Sequence, residues 1–189
     1  DLTDNTVQAY FVYDSKKAGS MTTSHLRFGK KDIKSSYLVQ KADFVACHNF
    51  SFLEKYEMLK FLNPGGTFLI NSQFSADEIW DHIPEIVQKQ IVAKQAKVYT
   101  INAVDIAVEL GLGQRYNVVL QTAFFKISGI IPFEDALGAI KGANQKSYGR
   151  YGEKVVKMNN DAADAGATEL HRVNYPGEGQ KVSEDTIVF

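Results

Sequence analysis

The chain has 189 residues, is 44% hydrophobic and 12% aromatic, and carries a net charge of −1. That composition fits one globular domain with a real core, and it gives no overall pull toward nucleic acid or an acidic membrane, so any anion site must be local. A single cysteine, Cys47, excludes an internal disulfide, a Cys-ligated iron–sulfur cluster and a Cys-rich zinc site; no apolar run approaches the roughly 20 residues of a membrane span, no signal peptide is visible, and the expected compartment is the cytoplasm.

In chain order, Ala9–Tyr13 is apolar and β-branched or aromatic, which predicts a buried strand. Ser20–Phe28 alternates and is polar on one face, as expected of a sheet edge or a hairpin arm. Tyr37–Val39 is a further short strand candidate. Asp43–Cys47, Thr67–Asn71 and Lys97–Ile101 repeat the buried-strand pattern. Between them, Ser51–Leu62 sets Phe52, Tyr56, Leu59 and Leu62 on one helical stripe that stops at Asn63-Pro64-Gly65-Gly66.

Ser75-Ala76-Asp77-Glu78 is a capping-box sequence opening a helix through Ile79 and Trp80, and Pro84 kinks or restarts it before Ile86–Lys94. Helices are expected over Ala103–Leu110, Asn117–Ser128, Phe133–Tyr148 and Glu153–His171. Buried strands alternating with helices predict a three-layer α/β/α sandwich with a largely parallel or mixed sheet and a helical C-terminal part. One domain over residues 1–175 is expected, followed by a linker or docking arm over 176–189.

Asp14-Ser15-Lys16-Lys17 follows a buried strand, at the end where open α/β sheets bind ligands. Two ammonium groups and a hydroxyl suit a phosphate-bearing ligand; a solvated hairpin tip is the plain alternative. Arg27 and Lys30 join that patch if a hairpin brings its two ends together, whereas Lys31 and Lys34 read as edge protection. Cys47 and His48 are adjacent on a strand and point to opposite faces, which argues against a catalytic pair and for a buried structural thiol. Asn49 at the strand end is a ligand-contact candidate, with helix capping as its alternative. The four histidines show no metal spacing, and Gly111-Leu112-Gly113-Gln114-Arg115 lacks the third glycine of a dinucleotide fingerprint and reads as a helix C-cap.

The segments YFVYDSKKAG, SHLRFGKK, ADFVACHNFSFLEKYEMLKFLNPGGTFLINS, EIWDHIP and GLGQRYNVVLQTAFF resemble the gamma-type domain of single-chain bacterial pyruvate:ferredoxin (flavodoxin) oxidoreductases, over about residues 4–176. The resemblance implies an enzyme that oxidatively decarboxylates pyruvate to acetyl-CoA with thiamine diphosphate, magnesium, [4Fe–4S] clusters and coenzyme A. It implies a homodimer with ferredoxin or flavodoxin as acceptor, and a gamma domain that holds neither thiamine nor clusters but helps bind coenzyme A and caps the active site. Its partners are then the other domains of the same enzyme, with no nucleic acid and no membrane, and alone it is expected to be inactive.

By the same resemblance Ser15, Lys16 and Lys17 contact the nucleotide end of coenzyme A, with Arg27, Lys30 and Asn49 as further candidates. A purely structural docking module is the alternative. The family's domain opens with a strand and a glycine-rich turn that are expected to precede Asp1. Ala18 and Ser20 stand where the family usually has Ser and Gly, so the turn's backbone is expected to differ; Gln114 and Ala123 stand where it usually has Gly and often Cys.

Overall fold

A computed structural model describes residues 6–13, 22–31, 33 and 39–180. The chain divides into two compact units, residues 1–41 and 42–189, a boundary inside the span that the sequence reads as one domain.

In the first unit, strands β1 (Thr6–Tyr13) and β2 (Thr22–Gly29) form an antiparallel pair, from Thr6 opposite Gly29 to Tyr13 opposite Thr22. The alternation read from Ser20–Phe28 is therefore a hairpin arm. Tyr37 and Leu38, two of the three residues of the further strand candidate, lie outside the described residues.

The second unit is built on a mixed four-stranded sheet in the order β3-β4-β5-β6. Strands β3 (Ala42–Cys47), β4 (Leu62–Asn71) and β5 (Lys97–Ile101) are mutually parallel, and β6 (His171–Val173) runs antiparallel to β5. Apolar side chains leave both faces, as a sheet covered on both sides requires. Phe68, Ile70, Cys47 and Val98 enter one core with Ile79, Val87, Ile91 and Tyr175; Leu69 and Ile101 enter the other with Ala103, Ala107, Val119 and Ala162. The first face is covered by α1 (Phe52–Lys55), α2 (Ile79–His82) and α3 (Glu85–Lys94), the second by α4 (Ala103–Glu109), α5 (Asn117–Ser128) and α7 (Glu153–Thr168), with α6 (Phe133–Tyr148) packed on α5 and α7. The result is the expected α/β/α sandwich.

Three local departures from the sequence reading have physical causes. The helix expected over Ser51–Leu62 is one turn, because Tyr56 is extended (φ −135°, ψ 147°) and tight turns then carry the chain to β4. The apolar stripe is nonetheless consumed by the core: Leu59 and Leu62 are buried. Asn63-Pro64-Gly65-Gly66, read as a helix stop, is an irregularity inside β4. Ala42 pairs with Leu62 and Phe44 with Thr67, so three extra residues bulge out, with Gly65 at φ 73° and Asn63 Nδ2 donating to Asp43 Oδ1 at 2.7 Å. Finally, α7 ends at Thr168, and His171–Val173, the first residue of which was read as helix, is the edge strand β6.

Past Tyr175 the chain is anchored rather than loose as far as it is described. Tyr175 stacks on Trp80 (ring centroids 5.1 Å apart) and its hydroxyl donates to Ala96 O at 2.7 Å. Gln95, held at φ 48° as the C-cap of α3, donates from Nε2 to Gly177 O and accepts at Oε1 from Gly179 N. Those bonds offset the strain of a left-handed glutamine. Residues 181–189 of the expected arm lie outside the described residues.

Candidate functional site

The carboxyl ends of β3, β4 and β5 open side by side, as parallel strands require, and the loops leaving them enclose a cleft of about 450 Å³. Such an end is where open α/β sheets bind ligands. His48, Asn49 and Ser51 come from the loop after β3; Asn71, Ser72 and Phe74 from the end of β4; Asn102 and Asp105 from the start of α4. A second cleft, about 550 Å³, shares Phe74, Asn102 and Asp105 and reaches Thr100, Glu169 and His171.

Most polar groups of this rim hold the rim itself. Asn71, buried, donates from Nδ2 to His48 O at 3.0 Å and accepts at Oδ1 from Ala103 N at 3.0 Å, so one amide ties the ends of β3 and β4 to the first residue of α4. Asn102 caps α4, accepting from Asp105 N at 3.2 Å and donating to Asp105 Oδ2 at 2.7 Å. Ser72 Oγ accepts from Phe74 N at 3.0 Å. Phe74 stacks on His82 at 3.7 Å and meets Phe50 edge-on, which fixes the wall between the two clefts.

Of the six site residues expected from sequence, Ser15, Lys16 and Lys17 lie outside the described residues. Arg27 and Lys30 belong to the first unit. Arg27 pairs with Gln8, five residues along the strands from the Tyr13–Thr22 pair, or about 17 Å at the strand rise. Lys30 follows Gly29, which pairs with Thr6 at the opposite end of the strand pair from Tyr13 and Thr22. Arg27 Nη1 donates to Gln8 Oε1 at 3.1 Å, and His25 is held below its ordinary pKa by burial and by the Arg27 charge.

Asn49 does line the cleft, but its Oδ1 accepts from Ser51 N at 3.1 Å and from Ser51 Oγ at 3.0 Å, a loop-bracing role close to the capping alternative. Cys47 is buried, its Sγ donates to Asn49 O at 3.0 Å, and burial pushes the thiol up to about 11. His48, just past the strand end, is held below its ordinary pKa by desolvation. The thiol is buried, as expected of a structural cysteine. Asn71 and Asn102 escaped the sequence reading, yet carried a signal: TFLIN and VYTIN both end an apolar strand in Ile-Asn.

The pyruvate ferredoxin/flavodoxin oxidoreductase family model matches residues 1–169. The chain belongs to that family. Among its relatives, a putative pyruvate-flavodoxin oxidoreductase of Synechocystis is 49% identical over 97% of this chain and 15% of its own length. The pyruvate:ferredoxin oxidoreductase of Moorella thermoacetica is 48% identical over 93% of this chain and 15% of its own length. The chain thus spans about 15% of the length of these family members.

Two solved structures share the fold. The pyruvate oxidoreductase subunit PORC of Thermotoga maritima superposes with a TM-score of 0.68 at 21% identity, over 90% of this chain and 83% of that one. The 2-oxoglutarate:ferredoxin oxidoreductase of Magnetococcus marinus, solved with 2-oxoglutarate, coenzyme A and succinyl-CoA bound, does so with a TM-score of 0.61 at 20% identity, over 89% of this chain and 27% of that one.

Proposed function

We propose that this chain is one domain of a larger 2-oxoacid:ferredoxin/flavodoxin oxidoreductase that oxidatively decarboxylates pyruvate to acetyl-CoA, and that it helps bind coenzyme A and caps the active site without catalysing alone. The observation that carries this reading is a family match running the length of the chain while taking in only about 15% of its relatives. The residues fit a helper role. A [4Fe–4S] cluster needs four thiolates, and the chain has one cysteine, buried and protonated. Two of the cleft hydroxyls, those of Ser51 and Ser72, brace their own loops. Thiamine diphosphate, magnesium and clusters would then be held by other parts of the enzyme, a homodimer with ferredoxin or flavodoxin as acceptor.

Coenzyme A carries three phosphate groups, and Lys16 and Lys17 supply two compact positive charges beside the Ser15 hydroxyl; Arg27, Lys30 and Asn49 are secondary candidates. Exposed charge pairs are worth about 1 kcal/mol each. In the complete enzyme, Lys16→Ala/Lys17→Ala raises the KM for coenzyme A and leaves the KM for pyruvate unchanged. A second reading, an inter-domain docking module without ligand contact, is favoured by exposed Val104 and Val108 one turn apart on α4 and by exposed Ile86 on α3. An unchanged KM for coenzyme A selects it.

A further inference from the structure

Charge along the α6–α7 hairpin is segregated. Helix α6 begins with Glu134 and Asp135 and ends near Lys146; α7 begins with Glu153 and Lys154 and carries Asp161 and Asp164 further on. At the corner between them, the 3₁₀ turn Gly149–Tyr151 contributes Arg150 and contacts both helices, so Lys146, Arg150 and Lys154 stand on three elements that meet, with Glu153 next to Lys154 in the sequence. All three cations are exposed. Neighbouring lysines are neutralised, Lys141 by Asp164 at 2.7 Å and Lys157 by Asp161 at 2.6 Å, whereas among the described residues Lys146, Arg150 and Lys154 make no ion pair.

Helix dipoles account for only part of this arrangement. A lysine in the first turn of a helix faces the positive end of the helix dipole, so Lys154 is unfavourable where it stands. Lys146 in the last turn of α6 and Arg150 in the 3₁₀ turn that continues it both stand near the negative end of the α6 dipole, which favours cations there. The guanidinium instead lies against the exposed Tyr151, 4.7 Å from the ring centroid, and Nη2 donates to the Tyr151 hydroxyl at 2.6 Å. Tyr151 is 59% exposed, a large ring presented to solvent on a rigid turn. Gly152, at φ 99°, redirects the chain there into α7.

We infer that this corner is a docking surface for an acidic protein, with Lys146, Arg150 and Lys154 meeting its carboxylates and Tyr151 packing at the centre. Arg and Tyr are the residue types over-represented among energetic anchors of protein interfaces, and clustered charge of one sign selects and steers a partner of the other. A nucleic acid is the poorer fit, because phosphate polymers are tracked by extended basic stripes, whereas this patch is three cations wide on a chain of net charge −1. The inference is independent of the coenzyme A reading, whose residues lie elsewhere in the sequence.

The test titrates the complete enzyme with fluorescently labelled poly-L-glutamate, followed by anisotropy at low and high salt. Lys146→Glu/Arg150→Glu/Lys154→Glu is compared with Lys55→Glu/Lys89→Glu/Lys97→Glu, which changes the net charge equally elsewhere. The expected result is a salt-sensitive complex weakened about tenfold or more by the corner variant and about twofold or less by the control. The neutral Lys146→Gln/Arg150→Gln/Lys154→Gln variant repeats the loss if the charge reversal disturbs folding. Equal weakening by corner and control variants overturns the inference, as does no binding by the wild type. Tighter binding of duplex DNA than of poly-L-glutamate overturns it in favour of a nucleic-acid surface.

Discussion

Asn71→Ala should loosen the whole carboxyl edge of the sheet, because one side chain holds three segments there. The native amide donates to His48 O and accepts from Ala103 N, both at 3.0 Å. Truncation leaves a carbonyl and an N–H without partners, and Ala103 is fully buried. An orphaned buried polar group costs about 1–3 kcal/mol. Since the His48 end is only part-buried, the lower half of that range applies there, and the sum is about 3 kcal/mol. For a chain of this size that lowers the Tm by about 9 °C.

Trp80, the only tryptophan, is stacked on Tyr175 in the core and reports urea unfolding by fluorescence. Asn71→Asp separates the two bonds. Its carboxylate still accepts from Ala103 N but repels His48 O, and burial raises its pKa. A raised folded pKa means the native state binds the proton more tightly, so the stability deficit relative to wild type shrinks as pH falls toward the unfolded Asp value near 4 and grows as pH rises through the folded value. A loss below about 1 kcal/mol for Asn71→Ala, or a pH-independent deficit for Asn71→Asp, refutes the latch.

Gly166→Ala and Gly142→Ala are chemically identical and should act with opposite signs. A Cβ at Gly166 would lie 2.4 Å from Val119 O and 2.9 Å from Thr122 Cβ, so overpacking against the α5 backbone outweighs the helix-propensity gain and costs about 1–2 kcal/mol in urea melts. At Gly142 nothing stands within 4 Å, and the substitution should stabilise by up to about 1 kcal/mol. Cys47, its thiol pushed up to about 11, is about one part in a thousand thiolate at pH 8, so native protein should resist iodoacetamide and react only at the rate of unfolding. Rapid native alkylation contradicts the burial.

The periodic elements were legible because local pattern and tertiary demand agree in them. Asn117–Ser128 and Phe133–Tyr148 match the observed helices end to end, and Lys97–Ile101 matches β5. The C-cap role read for Gly111 is also visible in the bonds: Gly111 N donates to Val108 O and Leu112 N to Ala107 O, with Gly111 at φ 76°. Where the reading failed, a non-local partner decided. Asn63–Gly66 looks like the stop of a helix through Leu62 until Ala42 pairs with Leu62 and Phe44 with Thr67 on either side of it, and His171–Val173 is too short to signal a strand without β5 beside it.

The site was less legible than the fold. Apolar runs located the strand ends, but that Asn49, Asn71 and Asn102 would be occupied in bracing loops depends on neighbours up to 32 residues away in sequence. Arg27 stands opposite Gln8 and Thr22 opposite Tyr13, while the lysine turn with which Arg27 and Lys30 are grouped lies outside the described residues. The polar groups of the cleft are thus largely committed to structure, and the proposed phosphate contacts of Ser15, Lys16 and Lys17 lie outside the described residues.

Calorimetric titration of the complete enzyme with coenzyme A, wild type against Lys16→Ala/Lys17→Ala, tests that site most directly. Two lost lysine–phosphate contacts at about 1 kcal/mol each predict a Kd raised about 30-fold, with the difference shrinking as salt is added. An unchanged Kd for coenzyme A contradicts the account and leaves the domain a docking module.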